Sequence, residues 1–180
     1  GQRLSIVDDT PGVTRDRIYG EVEWCGKTAF IVDTGGIEPK SDDIILVQMR
    51  RQAQLAIDTA NVIILVTDCK SGMVATDMDV AQMLQKSGKP VVLCVNKCDT
   101  LGEPSPEFYE FYNLGSGDPI EVSAVHGYGT GDLLDKVFSS FDYDENAEDD
   151  DTIINVAVIG KPNAGKSSLV NKITNEERCI

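Results

Sequence analysis

Three observations predict an α/β fold built on a mostly parallel sheet. Short apolar runs rich in β-branched residues alternate with longer stretches of helical periodicity. The last of these runs leads into Gly160-Lys161-Pro162-Asn163-Ala164-Gly165-Lys166-Ser167-Ser168, which satisfies G-x-x-x-x-G-K-[ST] and opens a helical segment. Other runs end in polar residues at Asp33, Asn96 and Ser123, and open α/β sheets bind ligands at such strand ends.

Taken in order, residues 19–24 alternate and lead through Cys25-Gly26-Lys27 into an apolar run at 28–32, which predicts a hairpin. Helical periodicity covers 43–59, and a strand follows at 62–67. A second helix is expected at 77–87, ended by Gly88-Lys89-Pro90 before the strand at 91–95. A short helix near 106–112 and the breaker Asp118-Pro119 precede a strand at 120–122. A helix at 131–141 leads to an acidic run, then to a strand at 153–159 and a helix from Lys166 to Thr174. No internal repeat is evident.

With 180 residues, 41% of them hydrophobic, the chain can bury the core of one ordinary domain. A net charge of −14 argues against broad binding to phosphate backbones, although a small basic site can still hold one nucleotide. Much of the excess lies in 142–151, Asp-Tyr-Asp-Glu-Asn-Ala-Glu-Asp-Asp-Asp, which reads as a self-repelling, extended linker. No apolar run approaches the roughly 18 residues of a membrane span and none reads as a secretory signal, so a cytoplasmic location without a membrane partner is expected. The cysteines at 25, 69, 94, 98 and 179 show no paired metal spacing, and those in apolar runs read as small core residues. His126, the only histidine, has no ligand cluster beside it in the sequence.

The glycines at 160 and 165 let backbone N–H groups turn toward phosphate oxygens, and the following helix adds its positive dipole end. Asn163, Ala164, Gly165, Lys166, Ser167 and Ser168 form the candidate phosphate-binding set, with Lys166 reaching the β- and γ-phosphates and the Ser167 hydroxyl on Mg²⁺. In Asn96-Lys97-Cys98-Asp99, a carboxylate at a strand end can accept from N1–H and the 2-amino group of guanine, which adenine cannot match. Ser123-Ala124 is placed to offer a backbone N–H to the base. In Asp33-Thr34-Gly35-Gly36, the aspartate can hold Mg²⁺ through water and the Gly36 N–H can meet the γ-phosphate. The turn-rich Thr10-Pro11-Gly12-Val13-Thr14-Arg15-Asp16 suits a loop that orders around Mg²⁺ and γ-phosphate through Thr14.

Together these segments, with Ser5 to Arg17 and Asp33 to Ile37, closely resemble the Der/EngA family of bacterial GTPases, which carry two GTPase domains in tandem. The resemblance implies a P-loop NTPase (Ras-like GTPase) fold, GTP/GDP as ligands, Mg²⁺-dependent hydrolysis, and a part in assembling the large ribosomal subunit. Residues 1–141 resemble the first GTPase domain without its opening strand and phosphate loop. The run 142–151 resembles the inter-domain linker, and 152–180 the start of the second domain. The missing strand is central in such a fold, and an empty slot would expose two sheet edges. Residues 152–180 are therefore expected to fill it, giving a circularly permuted order with the phosphate loop C-terminal, closed within one chain or exchanged in a swapped dimer. The ten-residue linker reaches up to about 33 Å when extended. The permutation also predicts mobility around residues 1–10. Ile37 stands where Ras-like enzymes orient water with glutamine, so slow turnover is expected, the alternative being a GDP/GTP-binding module or an inactive fragment without significant turnover. Related GTPases with an apolar residue there use potassium, held partly by the phosphate-loop asparagine, here Asn163. The candidate catalytic residues are thus Lys166, Asn163 and Thr14, and the candidate metal residues are Ser167, Thr14 and Asp33.

Overall fold

The computed structural model describes residues 18–35, 44–99, 104–141 and 153–175. The expectations for Thr14, Gly36, Ile37, residues 1–10 and the acidic run lie outside the described residues.

The strands are β1 (Ile18–Trp24), β2 (Lys27–Asp33), β3 (Val62–Asp68), β4 (Val91–Asn96), β5 (Ile120–Glu121) and β6 (Ile154–Ile159). The helices are α1 (Ile44–Thr59), α2 (Ala75–Lys86), α3 (Thr130–Ser139) and α4 (Lys166–Thr174). All six strands form one sheet in the order β1-β2-β6-β3-β4-β5. Among the strand pairs of the described residues, only β1–β2 is antiparallel. It is a hairpin whose two turn residues, Cys25 and Gly26, both have positive φ (50° and 76°), the handedness that suits a twisted two-residue turn.

The last strand of the chain lies in the middle of the sheet. Val156 pairs with Ile31 of β2 on one side and with Val62 of β3 on the other, and both ladders are parallel. A strand buried on both faces needs apolar residues throughout, and Val156 to Ile159 in Ile154-Asn155-Val156-Ala157-Val158-Ile159 supply them. Asn155 is the exposed exception, and its N–H and C=O both bond Asn61 at the entrance to β3 (2.8 and 2.7 Å).

Alternate residues of the strands feed two cores. Ile31, Ile64, Val156 and Val158 pack with Leu133, Val137 and Phe138 of α3 and with Leu169, Val170 and Ile173 of α4. Ile63, Leu65, Ala157 and Ile159 pack with Ala53 and Ile57 of α1, Val80 and Leu84 of α2, and Phe108 and Phe111. The result is three layers, helix–sheet–helix.

Helix α3 ends at Ser139, two residues short of the expected 141, and two further elements differ from expectation. The segment Pro106–Leu114 is a 3-10 helix rather than a short α-helix, ended by Gly115 at φ 63°. Helix α2 begins at Ala75, two residues before the sequence suggests. Its capping residue, Val74, has no polar side chain. The carboxylate of Asp77 instead reaches back to accept the Val74 N–H at 3.2 Å, which satisfies a donor at the helix start.

Candidate functional site

The carboxyl ends of β2, β6, β3 and β4 lie along one edge of the sheet, and each delivers a polar residue there. They are Asp33, the loop 160–165, Asp68 and Asn96. Between β6 and α4 the loop turns tightly. Asn163 and Gly165 take positive φ (61° and 88°). A side chain at Gly165 would run into the Asn96 amide, and one at Gly160 into the Val66 carbonyl, so both glycines are demanded by close approach.

Lys166, 5% exposed, donates from Nζ to the carbonyl of Lys161 at 2.8 Å. Burial pushes its ammonium down to about 8, with the nearby Asp33 carboxylate opposing. Ser167 donates from Oγ to Asp33 Oδ2 at 2.7 Å, and Asp33 Oδ1 accepts the Gly35 N–H at 3.2 Å. Ser168 is exposed on the first turn of α4.

Two residues of the Asn96–Asp99 segment tie it to the loop. Asn96 donates from Nδ2 to Ala164 O at 3.0 Å and accepts the Ala124 N–H on Oδ1 at 3.0 Å. Lys97, at φ 65°, donates from Nζ to Asn163 O at 2.7 Å and to Asp68 Oδ2 at 2.6 Å. Asp99 accepts from Ser123 Oγ at 2.7 Å and pairs with Lys70 at 2.5 Å. The Lys70 ammonium and then the Ser123 hydroxyl hold the Asp99 carboxyl below its usual range.

The structure thus brings Asp33, Asn96, Lys97, Asp99, Ser123, Ala124 and the loop residues to one edge. From Ser123-Ala124 one backbone N–H was expected to meet the base, and both amides have other partners. The Ser123 N–H bonds Tyr128 O at 3.0 Å and the Ala124 N–H bonds Asn96. Ser123 contributes through its hydroxyl on Asp99 instead. Sequence reasoning missed Asp68, although it ends an apolar strand as Asp33 and Asn96 do. Its carboxylate receives Lys97 and also the Lys70 N–H at 2.9 Å.

A family model described as 50S ribosome-binding GTPase matches residues 1–97 and 155–180. The chain belongs to that family. Curated relatives named GTPase Der share its sequence along its whole length. The protein of Ruminiclostridium cellulolyticum is 61% identical over 180 residues, and that of Acetivibrio thermocellus is 58% identical over 181. The chain spans 41% of the length of each. Among solved structures, Era crystallised with MgGDPNP and a segment of 16S ribosomal RNA superposes with a TM-score of 0.63 at 24% identity. That match covers 82% of this chain and 52% of Era. The fold of this family member is that of a P-loop GTPase.

Proposed function

We propose that this edge of the sheet binds a guanine nucleotide and that the chain hydrolyses GTP slowly with Mg²⁺. In this reading, residues 152–180 complete the GTPase core that residues 1–141 begin, in permuted order. One observation supports it above the others. Asn96 and Lys97, from the segment that would read the base, bond directly to the carbonyls of Ala164 and Asn163 in the phosphate loop. Residues some 66 and 68 positions apart are stitched into a single site. Calorimetric titration of nucleotide-free protein should show GDP binding and no ADP binding. Binding of both alike, or of neither, would overturn the assignment.

Asp99 would select the base. Its two carboxylate oxygens now serve Ser123 and the exposed Lys70, and guanine N1–H and 2-amino donors would take the place of Lys70. Asp99→Ala is therefore expected to lower GDP affinity by about a thousandfold, because a site built for these donors loses both contacts at once. Competition titration reads the loss, and near-normal GDP affinity would mean that Asp99 does not contact the base.

The donor set suits a hard cation. The Ser167 hydroxyl and the Asp33 carboxylate are adjacent oxygens beside the phosphate loop. Ser167 would hold Mg²⁺ directly and Asp33 through water, with Thr14 as a further ligand, and the ion would neutralise phosphate charge. Lys166 would exchange the Lys161 carbonyl for phosphate oxygens. Gly36 would offer its N–H to the γ-phosphate. Slow turnover follows from Ile37, and dependence on potassium through Asn163 follows from the family resemblance. Phosphate release should be faster in KCl than in NaCl at equal ionic strength, and equal rates would remove potassium from the scheme.

Closure of the sheet by β6 within one chain predicts a monomeric mass in solution, and exchange of residues 152–180 between two chains predicts a doubled mass. The family name and the resemblance together point to the large ribosomal subunit as partner. With a net charge of −14, such docking would use a limited surface rather than the whole molecule.

A further inference from the structure

Lys161, the second residue of the phosphate loop, turns its side chain away from the candidate nucleotide groups and toward α2. Its Nζ donates to Ser71 Oγ at 2.8 Å and to Asp77 Oδ2 at 3.4 Å. Asp77 is 1% exposed, and the same Oδ2 accepts the Val74 N–H. Its other oxygen, Oδ1, is buried with no hydrogen-bond partner among the described residues. The backbone carbonyl of Lys161, meanwhile, receives the ammonium of Lys166. One residue therefore joins the start of α2 to the group expected to grip the phosphates.

A buried ion pair is a poor way to gain stability. Desolvating both charges costs about as much as their attraction returns, and apolar residues of similar size would serve as well. Here the cost is visible, since burial raises the carboxyl of Asp77 above its ordinary range despite Val74 and Lys161 opposing. What the pair supplies is a fixed, directional hold on the loop's first turn. That hold matters when Lys166 leaves the Lys161 carbonyl for a phosphate, because the loop then loses an internal tie.

We propose that Asp77 and Lys161 form a positioning pair that anchors the phosphate loop to α2 and keeps it shaped for the nucleotide. The pair rests on the guanine-nucleotide reading above. It acts through the loop backbone and touches no ligand. Asp68, at the end of β3, adds a second nearby carboxylate that Lys97 neutralises.

The test is a double-substitution cycle on the full chain, read by GDP titration. Lys161→Met and Asp77→Asn are each expected to weaken GDP binding about tenfold, the scale of one charge-assisted contact. The double variant should be no weaker than the weaker single, since the two side chains act as one unit. Lys161→Arg, which keeps the charge and the reach, should restore affinity to within about threefold. Lys161 lies on a loop, so its variants report on the pair even where Asp77→Asn impairs folding. Additive losses, or unchanged GDP affinity in a Lys161→Met protein, would overturn the pair while leaving the nucleotide site in place. No GDP binding by the unaltered chain would overturn the functional reading and the pair together.

Discussion

Replacing Lys166 with methionine is expected to lower GDP affinity by at least about a hundredfold and yet to raise the thermal stability of the nucleotide-free, metal-free protein. The two effects have one cause. The ammonium is held in the phosphate loop at 5% exposure, with a carbonyl at 2.8 Å in place of water. Burial pushes it from the ordinary 10.5 down to about 8. Below about 8 both folded and unfolded chains carry this proton, and the folded state bears the full cost of burying the charge. Between about 8 and 10.5 only the unfolded chain keeps it, so the unfolded state binds more protons and stability rises with pH through that window. The gain across the window is roughly 3 kcal/mol. Methionine fills the same space without the charge, so its protein should melt higher at pH 7 and lack the rise toward pH 10. Melting curves of both proteins at the two pH values make the comparison. A variant that melts lower at pH 7 and keeps the slope would show that burial of Lys166 is not what depresses it.

Much of the site was legible because its residues stand at the ends of strands that are themselves easy to read. Every residue of β3 is buried, and a run such as Val62-Ile63-Ile64-Leu65-Val66 can be little else than an interior strand. Asp33, Asn96 and the loop at 160 follow such runs directly, so chemistry and position coincide in the sequence. The contacts that join these segments were not legible, because they link residues far apart in the chain. Nothing near Lys161 announces Asp77, 84 positions away, and nothing near Asn163 announces Lys97. The start of α2 was missed for a related reason. Its capping group is supplied from inside the helix by Asp77, while the capping position itself holds a valine. Ser123 and Ala124 lie at the edge, but the sequence carries no sign that both of their amides are already engaged. The position of β6 in the sheet is likewise invisible to periodicity. It could be argued only from the cost of leaving a central slot empty.

That cost gives the largest effect expected of any change to this chain. Cutting it after residue 152 should leave no cooperatively folded protein. Strands β2 and β3 each pair with β6 and not with one another, so the cut leaves both with an unpaired edge in the middle of the sheet. The same cut removes Ile154, Val156, Val158 and Ile159, all at 1% exposure or less, and with them Leu169 and Val170 of α4. At about 1.5–3 kcal/mol for each buried aliphatic side chain, the loss is on the order of 10 kcal/mol, comparable to the whole stability of a typical domain. Both cores are opened, since Val156 and Val158 face one and Ala157 and Ile159 the other. Near-ultraviolet circular dichroism and a denaturant titration would detect the collapse. A peptide of residues 153–175 added to the truncated chain should restore the transition and, with it, GDP binding, because both parallel ladders and the phosphate loop return together. A truncated chain that still unfolds in a sharp transition would mean that β6 occupies its place without being needed there. The remaining residues would then have closed the sheet by pairing β2 with β3, and the phosphate loop would be an addition to a fold already complete.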